Sequence, residues 1–234
     1  MGIDVITGLI WFASFLFSTT VHEAMHALAA LRLGDPTAYH GGQVTLNPVP
    51  HVAREPIGML LLPLITAFTQ GWAIGWASAP YDPVWAARYP RRAAIMAAAG
   101  PAGNLLIAIV ALVVMRVGLA IDLFSAPGSA NFETVVAWSN GTPSFVTTLL
   151  SVLLVQNTFL CLFNLLPLPP LDGGAVLAGL LPERQAVALR QASSMMSMIG
   201  LLVAWRVFPL MTGPLFSFLL GNLERLILDH DLGN

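Results

Sequence analysis

Val21-His22-Glu23-Ala24-Met25-His26-Ala27 lies inside a single apolar run, with Ile10-Trp11-Phe12-Ala13-Ser14-Phe15-Leu16-Phe17 before it and Leu28-Ala29-Ala30-Leu31 after it. The run extends from about Val5 to Leu33, long enough to cross a bilayer, and stops at the breaker cluster Gly34-Asp35-Pro36. A helix here puts the imidazoles of His22 and His26 at i and i+4 on one face, where both reach a single Zn2+. Glu23 is left between them to activate water. Ionisable groups at membrane depth are costly and default to function. The competing reading is a pair of histidines that hydrogen-bond between helices of a bundle.

Composition sets the same frame. Hydrophobic residues make up 56% of the chain and charged residues 9%, and the mean hydropathy is +0.77. A soluble domain carries about a quarter charged residues, so these values describe a polytopic membrane protein. All ten basic residues are Arg, and the net charge of −2 gives no footprint for nucleic acid. The lipid bilayer is the expected partner. Cys161 stands alone in an apolar stretch, which excludes a disulfide framework and reads as packing. The first apolar stretch lacks a basic n-region and contains the candidate site, so it reads as a retained helix rather than a signal peptide.

Outward from the first helix, residues 39–54 are polar and turn-rich, and Gly42-Gln43-Val44-Thr45-Leu46 has strand-like alternation. The apolar stretch 57–76 is interrupted by Pro63, Gly71 and Gly75. Longer stretches follow at 93–121, which contains Gly100-Pro101-Ala102-Gly103-Asn104, and at 145–166. Small residues of the first kind let a neighbouring helix approach closely. A last apolar region is broken by Pro209 and Pro214. The expected fold is an all-α polytopic membrane protein in one domain, residues 1–234. It has about four to six transmembrane helices: one over 5–33, core helices over 93–121 and 145–166, and C-terminal helices over 173–228. A short β-hairpin or re-entrant segment is expected between the first two core helices, at 39–76.

Two histidines leave a catalytic zinc short of one protein ligand. Asp172 is the best candidate, because it follows a membrane-length helix directly and precedes Gly173-Gly174. Capping of the next helix is its duller reading. His40, His51 and His230 remain open, the first two lying in a polar link where surface histidine is usual. Ser18, Thr19 and Thr20 either hydrate the site or bond back to their own helix. Asn157 either braces Asn164 or joins two helices.

HEAMH at 22–26, Ala99-Gly100-Pro101-Ala102-Gly103-Asn104, and Asn164-Leu165-Leu166-Pro167-Leu168-Pro169-Pro170-Leu171-Asp172-Gly173 together resemble the site-2 protease family of intramembrane zinc metalloproteases. The third matches that family's N-x-x-P-x-P-x-x-D-G pattern. The resemblance implies one Zn2+ per chain held by His22, His26 and Asp172, with Glu23 as general base. It also implies substrate contacts for Asn164 and, near the site, Asn104. It gives residues 41–48 as a short β-structure that pairs with an unwound substrate. The implied function is a zinc-dependent endopeptidase acting on membrane-anchored proteins or peptides. A membrane zinc carrier and a catalytically silent scaffold of the same fold are the alternatives, but a carrier has no need of Glu23 and a silent relative would be expected to lose it.

Topology follows from the metal. If the ends of the 5–33 and 145–166 helices share an ion, an even number of crossings separates them, so one of the three intervening stretches cannot span. Arg32 and Arg54 precede residues 57–76, and Arg88, Arg91 and Arg92 follow them, while the 122–142 loop has no Arg or Lys. The positive-inside rule then makes 57–76 re-entrant, in a multi-pass protein of the cell membrane whose site lies near the cytoplasmic side.

Overall fold

In a computed structural model, the structure describes residues 4–182 and, discontinuously, helical positions between 184 and 217. Three described helices are long and apolar enough to cross a membrane: α1 (Val5–Leu33), α6 (Pro90–Ala120) and α7 (Phe145–Asn164). Between α1 and α6 lie α2 (Thr37–His40), α3 (Pro48–Arg54), a π-helical turn (Ile57–Leu61), α4 (Leu62–Gln70) and α5 (Pro83–Arg88). After α6 come strands β1 (Phe124–Ser125) and β2 (Ala137–Trp138), and after α7 comes α8 (Asp172–Leu180). The C-terminal helices expected over 173–228 are represented by α8; most of the remainder lies outside the described residues.

The ends of α1 are set by its sequence. Asp4 accepts a hydrogen bond from the Thr7 N–H, and Gly34, at φ 103°, returns its own N–H to the carbonyls of Ala30 and Leu31. That left-handed position suits a residue without a Cβ. Immediately beyond, Asp35 is buried and ties the start of α2 to the residue before α5. Its Oδ1 accepts from the Thr37 N–H and hydroxyl, and its Oδ2 accepts from the Asp82 N–H at 2.8 Å. Burial alone would raise this carboxyl's pKa, but the hydrogen bonds from Thr37 and Asp82 outweigh it and hold the group below its ordinary range.

Contacts along the three long helices fix their directions. The Arg92 guanidinium donates to Leu33 O, and Asn104 donates to Ser18 O, so α6 runs antiparallel to α1. Asn157 meets the same turn of α1 through Ser18, and the loop before α7 meets its start, where Trp11 Nε1 donates to Glu133 at 3.0 Å. α1 and α7 are therefore parallel, and their C-terminal ends share one side of the bundle. On the other side, β1 and β2 form an antiparallel ribbon whose Phe124, with Val135 and Val136, packs on Ala108, Ala111 and Met115 of α6 and Leu154 and Val155 of α7.

Residues 57–76 do not cross. α3 and the helix that follows it are bent by 116°, and the chain turns at Gly71, in the left-handed region at φ 81°. It returns extended, so that Trp76 N–H donates to Gly58 O at 3.1 Å and Ile74 N–H donates to the Thr66 hydroxyl. A crossing segment would separate its two ends by the bilayer thickness of about 30 Å; here they are hydrogen-bonded. The close approach requires glycine on both sides, because a Cβ on Gly58 would collide with Trp76 O and one on Gly75 with Gly58 O.

The expected strand at Gly42–Leu46 is not formed. Gly42 adopts φ 70°, Asn47 N–H bonds to the Thr45 hydroxyl, and His51 Nε2 donates to Thr45 O. The turn-forming side chains satisfy this segment locally, so it has no need of a ladder. The short sheet lies instead in the 122–142 loop. His51 also departs from the surface reading: it is buried, whereas His40 is exposed.

Two measurements test this arrangement. In a Cys161→Ser background, Arg54→Cys and Arg88→Cys should label from one face of the membrane and Gly128→Cys from the other. Separately, Asp35→Asn should lower stability by about 1–2 kcal/mol near neutral pH, because one oxygen acceptor becomes a donor facing a donor. The depressed carboxyl stabilises the fold above the unfolded-state value and loses that contribution as pH falls through its folded value. Thermal unfolding of the wild type should thus weaken below about pH 4 more steeply than that of the variant.

Candidate metal centre

α1 supplies three of the four central residues. His22 and His26 leave the same face, with their Nε2 atoms 3.0 Å apart. Asp172, in the first turn of α8, places Oδ2 at 3.1 Å from His22 Nε2 and Oδ1 at 3.3 Å from His26 Nε2. A tetrahedral ion with ligand bonds of about 2.0 Å separates its ligand atoms by about 3.3 Å. The three distances are close to the edge of such a tetrahedron. Glu23 is buried beside them, its carboxylate within 4.8 Å of both imidazoles. Asp172 does not cap its helix: the N-cap is Leu171, with no side-chain bond.

The hydrogen-bond partners decide the tautomers. His22 Nδ1 lies 2.6 Å from Asn104 Oδ1, and His26 Nδ1 lies 2.8 Å from Met96 O. The orientation of Asn104 is fixed from behind, since its Nδ2 donates to Ser18 O and to Asn157 Oδ1. Asn157 is fixed in turn, donating to the Ser18 hydroxyl and Leu153 O. Both Nδ1 atoms therefore carry hydrogen, and both Nε2 atoms present lone pairs to the carboxylate. Glu23 Oε2 and Asp172 Oδ2 are buried without a hydrogen-bond partner. Three lone-pair-bearing atoms packed at such distances repel one another unless a cation lies between them. The donor set, two neutral imidazoles and a carboxylate, fits zinc.

Space for the ion comes from α6. A Cβ on Gly100 would fall on the Nε2 atoms of both His26 and His22, so only glycine lets this helix cross at the site. Pro101, next in the chain, lacks the N–H that would bond back along the helix. Gly173 similarly admits the carbonyls of Leu165 and Leu166 against the start of α8. The cavity above the four residues is about 310 Å³, with Asn164, Ala77, Ser78 and Tyr81 among its lining.

The sequence-derived residues are thus distributed as follows. His22, Glu23, His26 and Asp172 converge. Asn164 lines the cavity, with its Nδ2 turned back to Leu160 O. Asn104 was expected against substrate, but it is fully buried behind His22 and is absent from the cavity wall; its amide is committed to three helices. His40 and His51 do not line the cavity, and His230 lies outside the described residues. Thr19 and Thr20 bond back to Phe15 O and Leu16 O of their own helix. Asn157 joins helices, bonding to Ser18 of α1 and Asn104 of α6, and does not brace Asn164, whose Nδ2 bonds to Leu160 O. That this chain ends on the His22 ring is visible only in three dimensions.

Residues 10–207 match the family described as Peptidase family M50. Over 182 residues the chain is 35% identical to YwhC of Bacillus subtilis (strain 168), which is named a candidate zinc metalloprotease, spanning 77% of this chain and 73% of that one. Over 174 residues it is 32% identical to Rip2 of Mycolicibacterium smegmatis, named in the same way, spanning 74% of this chain and 58% of that one. No solved structure gives a significant match. The chain belongs to peptidase family M50, the site-2 protease family, and is an integral membrane metallopeptidase whose metal is zinc.

Asn104→Ala should lower zinc affinity about 10- to 100-fold, because it strands the His22 Nδ1 hydrogen and frees the ring to turn. Asn104→Asp, which keeps the acceptor, should restore most of it. Competition with a chromogenic chelator measures both, and His40→Ala and His51→Ala should match the wild type.

Proposed function

We propose that this peptidase cleaves membrane-anchored proteins or peptides at or within the bilayer, with Glu23 as general base and His22, His26 and Asp172 as the ligands of one zinc ion. The observation that carries the reading is the buried Glu23 carboxylate, which has an oxygen without a hydrogen-bond partner and shares a cavity at membrane depth with three metal-directed side chains. When bound, zinc supplies a Lewis acid that polarises the scissile carbonyl and brings the pKa of water towards neutrality. Glu23 then takes the proton of the attacking water and delivers it to the leaving amine. Asn164, with Nδ2 occupied by Leu160 O, has Oδ1 to accept an N–H of the substrate backbone.

A helical substrate must unwind before attack, since its carbonyls are held in i→i+4 bonds, and exposed backbone in lipid is expensive. The chain offers a partner for it. Residues 77–81 run extended along the cavity and make no backbone hydrogen bonds among the described residues. We assign the pairing with an unwound strand to this edge, rather than to the turns at Gly42–Leu46. The Arg-bearing links at both ends of the re-entrant hairpin support a cell-membrane orientation with the site towards the cytoplasm.

Glu23→Gln should keep stoichiometric zinc and lose cleavage by a factor of about 10² or more. Purified protein in liposomes, incubated with a single-span peptide and assayed by mass spectrometry, gives both rate and depth of the cut. Cleavage at the wild-type rate by a zinc-loaded Glu23→Gln chain would refute the mechanism.

A further inference from the structure

Gln156 sits on α7, buried, and neither its Nε2 nor its Oε1 has a hydrogen-bond partner. A neutral amide stranded in this way at membrane depth is costly, so the vacancy of both its atoms points to a ligand. The amide lines a cavity of about 100 Å³ whose other walls are apolar: Trp11 and Phe15 of α1, residues 72–75 of the returning limb, and Phe159 and Phe163 of α7. This space admits one side chain and is far too small for a helix.

Its position relates it to the metal centre. Phe163 lines this cleft and the adjacent Asn164 lines the zinc cavity; Gly75 lies in the cleft and Ala77 in the cavity. The two spaces are therefore neighbours along α7 and along the extended limb. From Gln156 to Asn164 is eight residues of helix, about 12 Å. On the α1 side, Phe15 lies seven residues before His22, about 10 Å. An extended peptide advances about 3.3 Å per residue, so the cleft meets a position three to four residues from the bond at the metal centre.

We propose that the Gln156 cleft is a specificity pocket for an uncharged polar side chain, a carboxamide above all, on the membrane-anchored substrate. This rests on the proteolytic reading of the metal centre. The chemistry is complementary: Gln156 offers a donor and an acceptor side by side, which another carboxamide matches with two hydrogen bonds, while the aromatic walls give no counter-charge for an ion. An apolar side chain would fill the space and leave the amide stranded.

The test separates docking from cleavage by using the Glu23→Gln chain in liposomes. The probes are two single-span peptides with leucine-rich cores, one carrying a single Asn, each with a photoreactive diazirine beside that position. The Asn peptide should crosslink to residues 72–75 and 156–163 with apparent affinity about tenfold above its leucine counterpart, as expected for the gain of a buried hydrogen bond. In Gln156→Leu, which keeps the cleft filled and apolar, the Asn peptide should fall to the affinity of the leucine peptide. Equal affinities for the unsubstituted Gln156, with the amide served by water only, would overturn the proposal, as would a preference that survives Gln156→Leu. In the chain with Glu23 intact, cuts should map three to four residues from the Asn. A preserved binding preference without any cleavage would instead refute the proposed cleavage of membrane-anchored substrates and leave the pocket standing.

Discussion

The mutual repulsion of His22 Nε2, His26 Nε2 and the Asp172 carboxylate governs the rest of the structure. These atoms are held near 3 Å from one another with both ring hydrogens turned outwards. Such an arrangement is unfavourable until a cation neutralises it, so the fold has to hold the groups in place by other means. Two of the donors come from α1 and the third follows α7, so the ends of these helices must lie on one side. Their parallel course, with α6 antiparallel between them, follows from that demand, and so does the hairpin that enters and leaves on one face.

Holding the donors costs polar groups inside an apolar bundle, and the bundle satisfies them with one another. Ser18, Asn157 and Asn104 link α1, α7 and α6 and end on the His22 ring. In a medium of low dielectric each of these bonds is strengthened, and a missing member would leave its neighbours exposed to the full desolvation cost. The chain therefore fixes the tautomer of a ligand and the register of three helices with the same few amides. Gly100 completes the arrangement by contributing nothing but room.

The extent of α1 and α7, the convergence of His22, Glu23, His26 and Asp172, and the re-entrant course of residues 57–76 were legible because each depends on local spacing or on the placement of Arg and glycine. α1 spans Val5–Leu33 as its apolar run and its Gly34 stop indicate, and Asp172 announces itself by following a helix directly. What was not legible depends on which of several available partners a polar group takes. Alternation at Gly42–Leu46 suggested a strand, yet Thr45 and Asn47 satisfy that backbone by turns. Asn104 carried a family role near substrate, while its neighbours in space direct it to His22. His51 is buried with its ring bonded to Thr45 O, and no periodicity foretells it.

The outer ribbon has a consequence for the cell as an electrical compartment. The proposed cleavage within the bilayer requires water at the site, and a continuous file of water is a path for protons. Here the residues of the metal centre lie towards the end of the bundle where α1 and α7 stop. The opposite end is closed by Phe124, Val135 and Val136 packed against Ala111, Met115 and Val155. That plug interrupts an aqueous thread along the seam between α6 and α7. On the proposed reading, this packing favours water drawn from the compartment nearer the metal centre and works against discharge of the ion gradient across the membrane.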